Sequence, residues 1–205
     1  GLSVGWRLTQ AGSDVTVLER GQAGRGATWA AAGMLAARVE AEHGEEWQLP
    51  LMVEGRAMWP AFAAELEAAS GMDVDYQDDG TLVVGLDRDD LEEIEHRHAY
   101  LTGLGLDVEM LTGIETRRRE PHLSRYVIGA LSSKLDHQVD NRKVFVALKA
   151  AYLAAGGILR EAAEVTAILT KAGRVSGVAV GEDEIAAEAV VLAAGAWSRN
   201  IPGMP

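Results

Sequence analysis

A chain of 205 residues, 48% of them apolar, is long enough for one large domain or two small ones around a sizeable core. Aromatics make up only 5%, so that core is aliphatic and alanine-rich, and a net charge of −12 makes the chain a poor partner for phosphate backbones. There is no cysteine, which excludes disulfides, zinc–thiolate sites, iron–sulfur clusters and cysteine nucleophiles, and suits a reducing, cytoplasmic setting.

The densest basic run, Arg117-Arg118-Arg119, is flanked by Glu115 and Glu120 and reads as a solvated face, not a nucleic-acid patch. No run approaches the roughly 18 apolar residues of a membrane span. The opening residues do not have the charged-then-apolar order of a signal peptide.

Residues 2–8 read as a helix already under way, stopped by Gly12 and Ser13. Residues 14–19 read as a short β-branched strand ending in Glu19. Helix, glycine turn and acid-ended strand together make the second half of a β-α-β unit. Residues 47–70 are helical in pattern, with Pro60 as a bend or break and Gly71 as the stop. Residues 75–86 look like a hairpin about Asp79-Gly80. A helix is expected over 89–104 and a strand over 127–131.

Asp140 or Asn141 caps a helix over 143–155, and Gly156-Gly157 ends it. Strands follow over 165–170, 175–180 and 190–193. The order predicts an α/β nucleotide-binding sheet interrupted by a mixed insertion.

Gly1 stands 18 positions before Glu19, with a helix and a strand between them. That suits the last glycine of a G-x-G-x-x-G turn and the acid that binds ribose hydroxyls, with pyrophosphate at the helix N-terminus. It equally suits an ordinary helix–strand pair ending in a surface glutamate. Residues 25–35, RGATWAAAGML, follow closely and are built from small side chains. Either they pack tightly, or they let main-chain N–H groups of Ala27, Thr28, Ala32, Gly33 and Met34 approach a ligand. Residues 190–198 form an apolar run into Ala194-Gly195, a further place where backbone can near a nucleotide.

His96 and His98 do not share a helix face, and His43, His122 and His137 are isolated in sequence, so no metal site is expected. Asp78-Asp79 and Asp89-Asp90 read as turn and cap residues.

This succession of residues 15–21, 30–35, Val139-Asp140 before a helix, and 190–198 resembles the D-amino-acid oxidase-like flavoproteins. The Ala-Ala-Gly-Met-Leu string most resembles the glycine oxidases of thiamine biosynthesis. The resemblance spans all 205 residues. It implies an FAD-binding Rossmann-like domain of the glutathione-reductase type, interrupted by a mixed α+β substrate domain. The expected partition is 1–46 and 138–205 for the FAD-binding domain and 47–137 for the insertion.

The resemblance also implies site roles. Gly1 matches the terminal glycine of the FAD fingerprint, and Glu19 the ribose-binding acid with Arg20 beside it. Ala27 and Thr28 match the loop touching the pyrophosphate and flavin side. Ala32, Gly33 and Met34 match the backbone beside the isoalloxazine ring. Val165 matches a strand position whose main chain meets the adenine end, and Gly195 the strand end near FAD. Two departures stand out: Trp29 replaces a small polar residue, and Asn141 replaces a proline at a helix start.

The implied reaction oxidises an amine (glycine, sarcosine or a D-amino acid) to an imine, with oxygen accepting the electrons and giving hydrogen peroxide. Homo-oligomeric assembly is also implied. Hydride passes to the flavin without an obligatory protein base, so no residue here is expected to be catalytic. The family's substrate-binding arginine belongs to a later half, so the chain is expected to be a fragment, inactive and poorly stable alone. Competing readings are another flavin amine oxidase or dehydrogenase, an NAD-dependent dehydrogenase, and a non-catalytic nucleotide-binding module.

Overall fold

The computed structural model describes residues 1–203; Met204 and Pro205, the last two residues of the expected 138–205 segment, lie outside the described residues. In chain order the elements begin with α1 (Leu2–Gln10), β1 (Thr16–Leu18), α2 (Ala27–Ala30), β2 (Met34–Leu35), α3 (Leu49–Ser70) and β3 (Thr81–Gly85). Next come α4 (Arg88–Gly103), β4 (Glu109–Thr112), α5 (Gly113–Arg119), β5 (Gly129–Ser133) and β6 (His137–Gln138). The chain then forms α6 (Asn141–Ala154), β7 (Ile158–Arg160), β8 (Val165–Lys171), β9 (Arg174–Val180), β10 (Asp183–Ala186) and a 3-10 turn, Gly195–Asn200. Two compact units result: one of Gly1–Ala31, Leu66–Met72 and Val144–Pro205, the other of Ala32–Glu65 and Asp73–Lys143.

In the first unit β1 pairs in parallel with β7, Thr16 opposite Ile158 and Leu18 opposite Arg160. The two strands are far apart in sequence, and parallel pairing requires such a crossover. Tyr152 of α6 locks the pair from behind, its buried hydroxyl donating to Val15 O at 2.7 Å and Ile158 O at 3.0 Å. Gly5 of α1 lies against the same wall. A Cβ there would sit 3.1 Å from Val17 Cγ2 and 3.2 Å from the Tyr152 ring. Beyond β7, the strands β8, β9 and β10 form an antiparallel sheet in the order β10-β9-β8. The expected strand over 190–193 joins no ladder among the described residues. Its apolar sequence fits a strand, but a strand exists only where a neighbour supplies backbone partners.

In the second unit β5 is the central strand between β3 and β4, all antiparallel, and every residue of it is buried. Helix α4 covers the sheet closely: a Cβ at Gly129 would lie 2.9 Å from Leu91 Cδ1. The core gathers Ala36, Val39, Ala41, Ile94, Leu101 and Leu131, with Leu49, Val83 and Met110 packed around it.

The Asp-Gly hairpin expected over 75–86 does not form, because β3 pairs with β5 instead of with residues 74–76. Gln77 bridges to Gln138, and Gly80 (φ +94°) turns so tightly that a Cβ would lie 2.7 Å from Ser133 O. Helix α3 runs through Pro60 without a break. Helix α5 starts at a reciprocal capping box: Thr112 Oγ1 accepts from Glu115 N, and Glu115 Oε2 accepts from Thr112 N. The arginine run ends α5 and is not simply solvated. Arg117 donates to Val127 O at 2.6 Å, and Arg119 pairs with Glu109 and Ser132 Oγ.

Candidate functional site

In the first unit the expected site residues cluster about the end of β1. Gly1 is the N-cap of α1, and no side chain caps it. The unpaired N–H groups and dipole of a helix N-terminus suit a phosphate group. A Cβ on Gly1 would make only an ordinary contact, 3.8 Å from Ala193 Cβ. The tight helix–strand approach is made instead by Gly5, one turn on, which the sequence pattern did not single out.

Glu19 continues β1 by one residue, its N–H donating to Arg160 O at 2.9 Å, and its own carbonyl accepts from Ala163 N at 2.9 Å. Its Oε1 accepts from Gly21 N at 2.9 Å, while Oε2 makes no hydrogen bond among the described residues. Such a half-buried, backbone-fixed carboxylate can accept a hydrogen bond from a ribose hydroxyl. The chain that passes Ala163 enters β8 two residues later at Val165. Arg20 lies over the Trp197 ring at 4.6 Å, which ties the end of β1 to the turn that starts at Gly195 (φ +55°). Glu19 and Arg20 are thus tied to the chain that leads into Val165 and, through Trp197, to the turn that starts at Gly195.

Residues 21–26 lead from there to Ala27 and Thr28, both exposed on α2. Gly21 O accepts from Ala162 N at 3.0 Å. Glu161 Oε1 accepts from Ala23 N at 3.0 Å and from Lys149 Nζ at 3.2 Å. These bonds, with the Ala23 N–H the larger cause, hold the Glu161 carboxyl below its ordinary range. At Gly24 (φ +75°) a Cβ would strike the Phe145 ring at 2.5 Å, so the loop passes where only glycine fits. Glu161 and Gly24 are loop-setting residues that no local pattern announces. Trp29 sits under the Arg25 guanidinium, 3.9 Å from its ring centroid, so its large ring forms part of the loop's own packing.

The second unit holds the other expected segment, Ala32, Gly33 and Met34. Gly33 has φ +84°, and a Cβ there would lie 2.0 Å from Val139 O. No other residue fits that backbone. Gly33 O accepts from Val139 N at 2.9 Å, and β2 then pairs with β6, Met34 opposite Gln138 and Leu35 opposite His137. Ala32 is exposed and Met34 is 45% exposed, so the segment has a supported back and an open front. Asp140 caps α6 by accepting from Arg142 N at 2.8 Å and Lys143 N at 3.1 Å. His137 is not isolated: it is buried, its Nδ1 is hydrogen-bonded to the Tyr76 hydroxyl, and Arg56 Nη1 lies 3.3 Å from it. His43 likewise stacks on Tyr100 at 3.6 Å.

The family model described as DAO, FAD dependent oxidoreductase, matches residues 1–205. The chain belongs to this family of FAD-dependent oxidoreductases. It is 32% identical over 203 residues to a glycine oxidase of Geobacillus kaustophilus, covering 98% of this chain and 53% of that relative. It is 31% identical to a bifunctional protein ThiO/ThiG of Synechocystis, covering 100% of this chain and 29% of that protein. The crystal structure of the Geobacillus kaustophilus glycine oxidase superposes with a TM-score of 0.88 at 31% identity, covering 98% of this chain and 54% of that one. The chain therefore spans about half the length of the glycine oxidases it matches. The cofactor is FAD, and the fold is that of the D-amino-acid oxidase-type flavoenzymes. No helix among the described residues is long and apolar enough to cross a membrane.

The residues present fit that cofactor. In the first unit an uncapped helix N-terminus and a backbone-fixed carboxylate are a donor and an acceptor of the kinds that the phosphates and ribose of a dinucleotide can use.

Proposed function

We propose that the protein is a glycine oxidase-type flavoenzyme that oxidises glycine to its imine. Two electrons and two protons leave the amine, and oxygen takes them up to become hydrogen peroxide. Imine released to water would hydrolyse to glyoxylate and ammonia, and imine retained would serve thiazole synthesis for thiamine. The observation that carries this reading is the likeness to a glycine oxidase over 98% of the chain, at 32% identity. The similarity to a ThiO/ThiG protein supports the thiamine connection.

Each expected residue has a role in this reading. The α1 N-terminus at Gly1 neutralises the pyrophosphate, and Glu19 accepts from the adenosine ribose hydroxyls with Arg20 alongside. Val165 and Gly195 supply main chain near the adenine end and the nucleotide. Ala27 and Thr28 meet the pyrophosphate and flavin side, and Ala32, Gly33 and Met34 present backbone beside the isoalloxazine ring. Bound FAD supplies the redox chemistry, while these residues bind and orient it. Residues 1–46 and 138–205 form the FAD-binding domain and 47–137 the substrate-domain insertion. Cytoplasmic residence and self-assembly complete the proposal; a cysteine-free chain suits the former.

The test is peroxide production by the full-length flavoprotein with glycine, sarcosine and D-alanine. Glycine is expected to give the highest kcat/KM. A preparation that turns over D-alanine or sarcosine but not glycine would assign the protein to another flavin amine oxidase class.

A further inference from the structure

The backbone of residues 32–34 is fixed from behind by more than the two-residue pairing of β2 with β6. Where that ladder ends, a side chain takes over. Asp136, fully buried, turns its carboxylate onto the chain that leaves β2. Its Oδ1 and Oδ2 each accept from Arg38 N at 3.1 Å, and Oδ2 accepts from Val39 N at 2.8 Å. The buried Arg38 guanidinium balances the charge from 3.6 Å and also donates to Leu135 O at 3.4 Å.

Burying a carboxylate carries a desolvation penalty that only a full set of donors offsets. An apolar contact would hold this loop without that penalty, but it would not fix which N–H stands where. A carboxylate bound to two successive N–H groups does. Residues 33–35 thus run antiparallel to residues 139–137, and the Asp136 side chain fixes the chain again at Arg38 and Val39.

We propose that Asp136 is a positioning residue for the flavin: it sets the register and tilt of the residue 32–34 backbone, and through it the environment of the isoalloxazine ring. This rests on the reading above that residues 32–34 lie beside that ring. Asp136 does not itself touch the cofactor in this account.

The test uses the full-length holoenzyme and compares Asp136→Asn, Gly33→Ala and Thr116→Ala. Thr116 is fully buried in the same unit and accounts for a loss of stability unrelated to residues 32–39. Asparagine keeps one acceptor oxygen and removes the charge. Asp136→Asn is expected to weaken FAD binding about tenfold, the loss of one charge-assisted hydrogen bond's worth of fixation, and to shift the flavin absorption bands and midpoint potential. Thr116→Ala is expected to lower the melting temperature and leave both flavin readouts unchanged. If Asp136→Asn does not accumulate, Arg38→Gln is read in its place, with a smaller shift in the same direction. An Asp136→Asn or Arg38→Gln protein that melts earlier but keeps wild-type FAD affinity, spectrum and potential overturns the proposal. If Gly33→Ala disturbs the flavin in that case, the reading of residues 32–34 stands without Asp136. If Gly33→Ala leaves the flavin unchanged as well, both are overturned.

Discussion

The two glycine-bearing segments proposed to meet the cofactor are built on opposite plans. Residues 21–30, in the first unit, are mostly exposed, and Glu161 holds their turn at Ala23 N. Residues 33–39, in the second unit, run from a strand pair into a buried carboxylate clamp, and residues 36–39 are buried. A mostly exposed loop opens locally at less free-energy expense than a buried, laddered segment, which opens only with much of its unit. The first plan suits a loop that lets a dinucleotide in. The second suits a surface against which a reacting ring must be held still.

The contrast is broken most severely at Gly33. Gly33→Ala places a methyl group 2.0 Å from Val139 O on a backbone with φ +84°. It is expected to destabilise the full-length protein by at least about 2 kcal/mol in denaturant titration. A wild-type midpoint would show that the 33–39 segment is not rigid.

Gly5→Ala tests the wall behind β1. Its methyl group would sit 3.1 Å from Val17 and 3.2 Å from Tyr152, so a small shift of these side chains relieves it. The expected loss is roughly 1–2 kcal/mol, smaller than at Gly33 and again measured by denaturant titration.

Glu19→Gln separates binding from folding. It keeps an acceptor for Gly21 N and removes the charge offered to the ribose. FAD affinity is expected to fall about tenfold, with stability nearly unchanged. Equal FAD affinity in equilibrium dialysis would remove Glu19 from the ribose role.

The smallest effect is on pH. The folded Glu161 carboxyl titrates below its ordinary 4.5, so the unfolded chain binds its proton more readily. Its contribution to the 21–26 loop is complete above that value and is lost as pH falls through the lower, folded value. Proteolytic nicking of that loop is expected to rise below about pH 4.5 in the wild type. In Glu161→Gln the rise with acid is expected to flatten.

The sequence made the long helices visible and the pairings invisible. Helices 88–103 and 141–154 follow from local periodicity, with Asp140 as the legible cap of the second. The 75–86 hairpin failed because Asp79-Gly80 specifies a turn but not a partner, and β3 finds β5, which lies nearly fifty residues later. The capping box at Thr112 and Glu115 was present as a T-x-x-E pattern and would have revealed α5.

Site residues divide in the same way. Glu19 and Gly33 stand out because an acid after a strand and a glycine among alanines carry chemistry in their type and spacing. Gly5, Gly24, Glu161 and Asp136 matter through contacts with residues distant in sequence. Nothing local distinguishes Asp136 from the other acids of so acidic a chain.

The most direct measurement takes the full-length protein as purified, records its bound flavin, and adds glycine in the absence of oxygen. Bound FAD is expected, with visible absorption that bleaches with glycine and returns, with hydrogen peroxide, when oxygen is admitted. A colourless protein that does not take up FAD, or a flavin that glycine leaves oxidised, would contradict it.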